Sequence, residues 1–297
     1  MWLDIQIFGF RALWSPLFLT FIICISIAYF LITGPMRDRF GKDLPAPTIS
    51  QQLYFYSSML LIYLVKGAPV DLLSHIMMSA HMIQMAILYF IVPIFIIRGI
   101  PKWVLRKFIS LPIIRPIFKI MTHPLIALAV FNSFFAMYHL PLVFDFTKSH
   151  QFVHTSVTLF LFVTAITMWW PIVTPLKEHN KLHPLVKMSY LLGSIFMIAI
   201  PCALIIFASD PLFNAYSSQG AWMQSMSLCV PTDVLNGLSG DLSGPEMFSP
   251  LDAQEDQQLG GVIMLFLQEL IFGVVLATIF FGWFSKKSME IDPLPNS

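Results

Sequence analysis

The residues best suited to chemistry in this chain are histidines and methionines repeated at helical spacing near position 80. If that segment is one continuous helix, five of them share about one third of its circumference at 100° per residue: His75, Met78, His81, Met82 and Met85. Thioether sulfur and imidazole are ligands that suit Cu(I). A single methionine at such spacing is more often a packing residue, but two histidines in the same stripe favour a soft-metal face.

Three further histidines lie near the ends of neighbouring apolar segments. His139 ends one segment, and His150 and His154 open the next at i, i+4 spacing. The only mid-segment carboxylate is Glu269, which we place at the depth of His81, about 13 Å below the start of its helix. A carboxyl group buried in lipid needs a polar partner. We therefore expect Glu269 to face the bundle interior and tune the metal site, the alternative being a helix–helix hydrogen bond without a role in metal binding.

Of the other metal and cofactor sites, zinc and di-iron fit these residues poorly, whereas haem stays possible. Structural zinc prefers Cys and His at short spacings that the three cysteines do not provide. A di-iron site needs several carboxylates with Glu-x-x-His pairs, and Glu269 has no such neighbours. Bis-histidine haem ligation stays open, because histidines on different helices at similar depth can hold haem. The sequence contains no phosphate-binding glycine loop and no nucleophile–base pair, so we expect a protein that is not an enzyme.

The elements that must position these residues are membrane helices. The 297 residues are 57% hydrophobic and 11% charged, with a mean hydropathy of +0.76, whereas soluble domains carry about 25% charged residues. A net charge of +1 gives no field that would attract nucleic acid, so the expected partner is the lipid bilayer. Apolar runs near the length of a membrane span predict one all-α membrane domain over residues 1–297, with spans at Ala12–Thr33, Ser50–Val65, Ser74–Ile97, Pro124–Phe144, His150–Thr174, Val186–Ala208 and Gly260–Phe284.

The distribution of positive charge predicts how these spans are oriented. Of the 17 Lys and Arg residues, 14 fall in alternate segments between or flanking the spans, counting Lys187 at the border of its span, the asymmetry expected when those segments are cytoplasmic. The short run Ser50–Val65 must then cross the membrane, because otherwise the basic connections would lie on opposite sides. The predicted fold class is an all-α integral membrane protein of the plasma membrane. It is a seven-transmembrane-helix bundle with its N-terminus outside and its C-terminus in the cytoplasm.

The longest connection, Ser209–Leu259, is predicted to lie outside the membrane. It contains no Lys or Arg and several Asp and Glu residues, together with many Gly, Ser and Pro. The favoured interpretation is a solvated, partly flexible loop. The alternative is an acidic docking surface for an extracytoplasmic partner or cation.

Four segments of the chain resemble the CtaG-type cytochrome c oxidase assembly factors, multi-spanning membrane proteins of bacilli. They are Ile7–Pro16 (IFGFRALWSP), Ser79–Gln84 (SAHMIQ), Tyr138–Pro141 (YHLP) and Trp169–Pro171 (WWP). The resemblance covers nearly the whole chain and implies a role in maturing the cytochrome-caa branch of haem–copper oxidases, in particular a copper centre. It implies oxidase subunits and extracytoplasmic copper donors as partners. The chain departs from the family pattern at Met85 and Thr158, where relatives carry histidine, so the ligand set stays open.

These observations lead to one hypothesis and two alternatives. The hypothesis is an assembly factor without enzymatic activity that binds Cu(I) transiently in the outer half of the membrane and helps to place it in the oxidase. The first alternative is a membrane redox protein that holds haem or quinone on the same histidines. The second is a scaffold that stabilises oxidase subunits without touching metal.

Overall fold

The computed structural model describes residues 5–238 and 244–291, with residues 286–291 described by their backbone only. Within these ranges the chain is helical and contains no strand. Short 3-10 turns and one π-helical turn, Ile87–Ile91, connect some of the helices. The α-helices are α1 Gly9–Trp14, α2 Pro16–Thr33, α3 Ile49–Lys66, α4 Pro69–Ile76, α5 Met78–Ala86, α6 Val92–Gly99, α7 Lys102–Ile109, α8 Ile114–Met121, α9 Pro124–Tyr138, α10 Pro141–Ser149, α11 Gln151–Val173, α12 Pro184–Ile206, α13 Asn214–Ser217, α14 Gln219–Met226, α15 Thr232–Leu238 and α16 Ala253–Ile291.

The chain is a multi-pass membrane protein with five to seven candidate spans. Five helical stretches within the described ranges are long and apolar enough to cross a bilayer: Gln6–Thr33, Met78–Gly99, Gln151–Val173, Pro184–Ile206 and Ala253–Ser285. Two bent helix pairs could each form one further span, α3 with α4 at 42° and α8 with α9 at 80°. The predicted spans Ser50–Val65 and Pro124–Phe144 correspond to α3 and α9. These helices are long and apolar enough to cross a bilayer only together with their bent partners.

The predicted third span, Ser74–Ile97, is interrupted near its start. Met77 has extended backbone angles (φ −137°, ψ 145°), so α4 ends before it and α5 begins after it. His75 therefore belongs to a different helix from His81. The single helical register that placed both histidines on one arc does not hold, because the extended residue Met77 interrupts the helix between them.

A carboxylate that is distant in the sequence stabilises this break in the helix. Asp256, near the start of α16, accepts hydrogen bonds from the backbone N–H of Met78 at 2.5 Å and of Ser79 at 3.4 Å, and from the Ser79 hydroxyl. These amides belong to the first turn of α5, which has no acceptor within its own helix. Gly260 allows the close approach, since a Cβ there would lie 3.2 Å from the Met78 carbonyl.

The connections between helices gather at two ends of the bundle. At one end, which we call the basic end (residues 34–48, 99–123 and 174–183), the Trp103 indole N–H donates to the Pro45 carbonyl at 3.2 Å. Arg106 pairs there with Glu178 at 2.6 Å. At the opposite end, which we call the histidine end (residues 66–81 and 138–154), Lys66 pairs with Asp71 at 2.6 Å. The histidines of the candidate site lie at this second end.

The described parts of the long connection, residues 209–238 and 244–259, differ from the predicted solvated loop. Helices α13 to α15 fold over the histidine end, and Trp222 and Met226 are fully buried against Phe8 and Leu72. The Asp145 carboxylate of α10 accepts from backbone amides at the start of α13, which anchors the segment. Its apolar side chains explain the difference, because they bury themselves as a small core. Asp241, one of the acidic residues of this connection, lies outside the described residues.

Candidate metal centre

Four imidazole rings meet at the histidine end in two pairs. The ring centroids of His75 and His154 are 5.4 Å apart, and those of His81 and His139 are 6.3 Å apart. His75 and His81 are each 2% exposed and His139 is 5% exposed. Within the described part of the chain, no group of three or more His, Cys, Asp or Glu side chains is arranged to hold a metal ion. A metal held here would need methionine sulfur or a ligand from a partner to complete its coordination.

The first pair, His75 and His154, lies beside a buried lysine that contacts His75. His75 Nδ1 lies 3.3 Å from both the Lys148 ammonium nitrogen and the Ser225 hydroxyl. Lys148 is 1% exposed and donates to the Ser74 carbonyl at 3.2 Å. Burial, reinforced by the nearby charge of Lys66, lowers the pKa of Lys148 to about 7. Near neutral pH this side chain is therefore divided between its ammonium and amine forms.

The form of Lys148 influences which nitrogen of His75 keeps a free lone pair. An ammonium donating to Nδ1 uses the lone pair there and leaves the proton of a neutral ring on Nε2. When Lys148 is an amine, Nδ1–H can donate to the Ser225 hydroxyl instead, and the lone pair moves to Nε2. His154, the partner ring, has a buried Nδ1 without a hydrogen bond.

The second pair, His81 and His139, has more ring nitrogen atoms without a hydrogen-bond partner. Both ring nitrogens of His81 are buried without a partner, as is Nε2 of His139. His139 Nδ1 lies 2.7 Å from the Phe135 carbonyl, which can only accept, so Nδ1 carries the proton. A neutral His139 ring therefore presents its Nε2 lone pair, the arrangement common in metal-ligating histidines. Phe144 and Tyr138 pack against His81 at centroid distances of 5.3 and 5.9 Å.

The methionines keep part of their predicted arrangement. On α5, four residues occupy about 100° of the helix circumference: Met78, His81, Met82 and Met85. The three methionines are at most 3% exposed and belong to the main hydrophobic core. Their thioethers therefore lie in a dry environment on the same face as His81. The same burial also fits a purely packing role.

Two predicted site residues do not join this cluster. His150 is exposed, with its Nδ1 2.9 Å from the Phe146 carbonyl and from the Ser149 hydroxyl. Glu269 is exposed on the outer face of α16, while its neighbour Gln268 is fully buried and donates to the Ile195 carbonyl. The prediction that Glu269 faces the interior is wrong, because a step of one residue turns the side chain by about 100°.

The expected match in depth between Glu269 and His81 also fails. Gly260 of α16 lies level with Met78 and Ser79 of α5. From this contact His81 lies about 4 Å and Glu269 about 13 Å along their helices, at 1.5 Å per residue. The difference arises because α5 begins at the break after Met77 rather than at Ser74.

Sequence reasoning missed two side chains of the site, Lys148 and Ser225, and the cap formed by Asp256. Lys148 carried a usable signal, since it is the only Lys or Arg between the predicted fourth and fifth spans. Ser225 and Asp256 carried none, because nothing local distinguishes them from other polar residues of the connection in which they lie.

Comparison with known proteins gives one match. The model of a protein family described as cytochrome c oxidase caa3 assembly factor matches residues 27–286. This range includes α5, the His139 turn and α11, and so contains every histidine of the two pairs. No curated protein and no solved structure matches the chain.

Proposed function

The chain belongs to the cytochrome c oxidase caa3 assembly factor family, and from this premise we propose that it binds Cu(I) at its histidine end and passes it to an oxidase subunit. Family membership supplies the oxidase as the partner. The copper step is our inference from the site. In this proposal His81, His139, His75 and His154 supply nitrogen ligands, and the α5 methionines Met78, Met82 and Met85 supply sulfur.

The observation that carries the proposal is the His81–His139 pair with its three uncommitted, buried nitrogen atoms. A buried polar group without a hydrogen bond costs about 1–3 kcal/mol, so a pair that leaves three such atoms is expensive unless it binds something. Imidazole beside thioether sulfur suits Cu(I). The aromatic rings packed against His81 favour a small ion there over a haem macrocycle.

Purified protein tests this directly. We expect it to compete with a chromogenic Cu(I) chelator and to bind Zn(II) more weakly. His81→Leu combined with Met85→Leu should weaken Cu(I) binding at least about tenfold, since even outer-shell changes at metal sites cost that much. The matched control is His150→Leu with Met226→Leu, which removes the same residue types outside the cluster. Equal Cu(I) affinity in the two double variants would leave the methionines as packing residues.

A cellular experiment separates copper handling from a scaffold role. In cells that make the oxidase, His81→Leu should accumulate in the membrane at the wild-type level. Oxidase subunits and their haem should be present while oxidase activity falls, because copper is missing. Full oxidase activity at normal abundance of His81→Leu would favour the metal-free scaffold.

A second candidate, a membrane redox protein, rests on a cavity beside the His75–His154 pair. A space of about 660 Å³ between α2, α3 and α11 is lined by His75, His154, Lys66 and Asp71, and otherwise mostly by apolar side chains such as Phe162. Its mixture of an apolar wall and a polar end suits a quinone. Organic extraction of the purified protein with chromatographic detection of quinone, and its absorption spectrum for haem, test this candidate independently of copper.

A further inference from the structure

Two cavities meet at the basic end of the bundle, opposite the four histidines of the candidate metal centre. The first has a volume of about 570 Å³ and is lined by apolar residues such as Pro45 together with polar side chains that include Thr48, Gln51 and Lys102. The second encloses about 430 Å³ between α6, α11 and α16 and is lined mostly by apolar side chains. Three residues line both: Tyr54, Arg98 and Val173. The two spaces are therefore neighbours that share a wall around Arg98.

The first cavity is lined by two cationic residues, Arg98 and Lys102, both of which are exposed. Neither the Arg98 guanidinium nor the Lys102 ammonium has an ion-pair or hydrogen-bond partner in the described part of the chain. The described residues that line this cavity include no Asp or Glu. A guanidinium presents five N–H donors in a planar fork that matches phosphate oxygens. The cavity is therefore suited to one phosphate group.

The apolar cavity extends from the first cavity toward the middle of the bundle. The residues of α16 that line it run from Leu270 to Ile279, about 13 Å at 1.5 Å per residue. Leu270 and Val274 are 54% and 61% exposed, so the groove opens sideways to the lipid. The hydroxyl of Thr278, a polar residue in its wall, donates a hydrogen bond to the Val274 carbonyl at 2.8 Å. The groove thus offers hydrocarbon contacts and no free polar group of its own on α16.

We propose that the two cavities form one binding site for an anionic phospholipid. The phosphate lies between Arg98 and Lys102, and one acyl chain follows the groove along α16. A free phosphate or nucleotide would use only the first cavity, whereas the contiguous apolar groove fits a ligand with a long hydrocarbon chain. Basic pockets between membrane helices are known sites for anionic lipid head groups. The bound lipid would bridge α3, α6, α11 and α16.

Lipid titration of the full chain in neutral detergent tests the proposal. We expect native mass spectrometry to detect dioleoylphosphatidylglycerol bound more tightly than dioleoylphosphatidylcholine. Arg98→Gln with Lys102→Gln should weaken phosphatidylglycerol binding about thirtyfold, the effect of two basic residues at an anionic surface. The control is Arg39→Gln with Lys42→Gln, which removes the same charge from residues that are likewise exposed at the same end but line neither cavity, and it should retain the preference.

A second variant tests the acyl-chain groove. Val274→Trp places a large ring in the groove from an exposed position, so it should fold and yet bind dioleoylphosphatidylglycerol more weakly. Val262→Trp, also exposed on α16 but outside the groove, should bind it as the wild type does. Three results would overturn the proposal. They are equal binding of the two lipids, an unchanged preference in the Arg98/Lys102 variant, and displacement of the lipid by millimolar inorganic phosphate, which would indicate a simple anion site.

Discussion

Lys148 shows how one side chain can connect the electrostatics of the histidine end to its stability. Its ammonium form loses hydration on burial and faces the charge of Lys66, and Asp71 and Cys229 offset this only in part. The rings of Phe144 and Tyr216 lie within cation–π distance at 5.7 and 5.6 Å. Together these contacts leave the pKa of Lys148 at about 7, compared with 10.5 for an ordinary lysine.

This shift predicts a stability that rises with pH. Between pH 7 and 10.5 the unfolded chain binds a proton at Lys148 that the folded chain has lost, so unfolding becomes harder as pH increases across that window. Below pH 7 the full cost of the buried charge is present. We expect Lys148→Met to show a smaller rise in thermal unfolding temperature from pH 6.5 to pH 9 than the wild type. Lys119→Met, at an exposed position, serves as the control and should match the wild-type rise. The same pH dependence in Lys148→Met as in the wild type would contradict the assignment.

Among the elements, α5 depends on a cap supplied from another helix. Asp256 satisfies the first amides of α5, and His81 lies one turn further along. Asp256→Ala should destabilise the fold by about 1–2 kcal/mol, the usual cost of losing a cap, and should weaken Cu(I) binding as well. Thermal unfolding and chelator competition measure the two effects, with the exposed Asp233→Ala as control. Loss of stability with unchanged Cu(I) affinity would separate the cap from the proposed metal site.

The packing of α3 against α6 provides a second prediction for the elements. A Cβ at Gly99 would lie 2.6 Å from the Phe55 backbone nitrogen, and the Gly99 carbonyl accepts from the Tyr29 hydroxyl at 3.0 Å. Because the obstructing atoms belong to the backbone, α3 and α6 must move apart. We expect Gly99→Ala to lower stability by about 1–3 kcal/mol. Gly273→Ala on α16, where nothing lies within 4 Å, should leave the unfolding temperature within error of the wild type.

The helices and the α5 arc were predictable because both depend on local periodicity and hydropathy. Apolar runs of span length indicate helices whatever they pack against, and the spacing of His81, Met82 and Met85 survives in the structure. The break at Met77 was not predictable, since its main stabilising contact joins Met78 to Asp256, 178 residues away. The outward direction of Glu269 was missed for the same reason. Which face of α16 is buried is decided by its neighbours.

At the scale of the whole molecule, the structure separates two ends with different charge. The connections at the basic end meet through contacts such as Arg106–Glu178, and the histidine end has few cations within the described ranges. Of those, Lys66 is paired with Asp71, and Lys148 is buried. The predicted orientation places the basic end in the cytoplasm. It would bring the proposed copper site close to the outer surface and the proposed lipid site into the inner leaflet.

Fusions to reporters test this orientation. Membrane insertion retains Lys- and Arg-rich segments on the cytoplasmic side, and 14 of the 17 Lys and Arg residues lie in segments predicted to be cytoplasmic, counting Lys187 at the border of its span. A fluorescent protein that folds only in the cytoplasm should therefore be bright when fused after Lys119. Alkaline phosphatase, active only outside, should be active when fused after Leu238 and inactive after Lys119. The reverse pattern would place His81 and His139 near the cytoplasmic surface. Copper would then have to reach the site from the cytoplasm, and the lipid at Arg98 would belong to the outer leaflet.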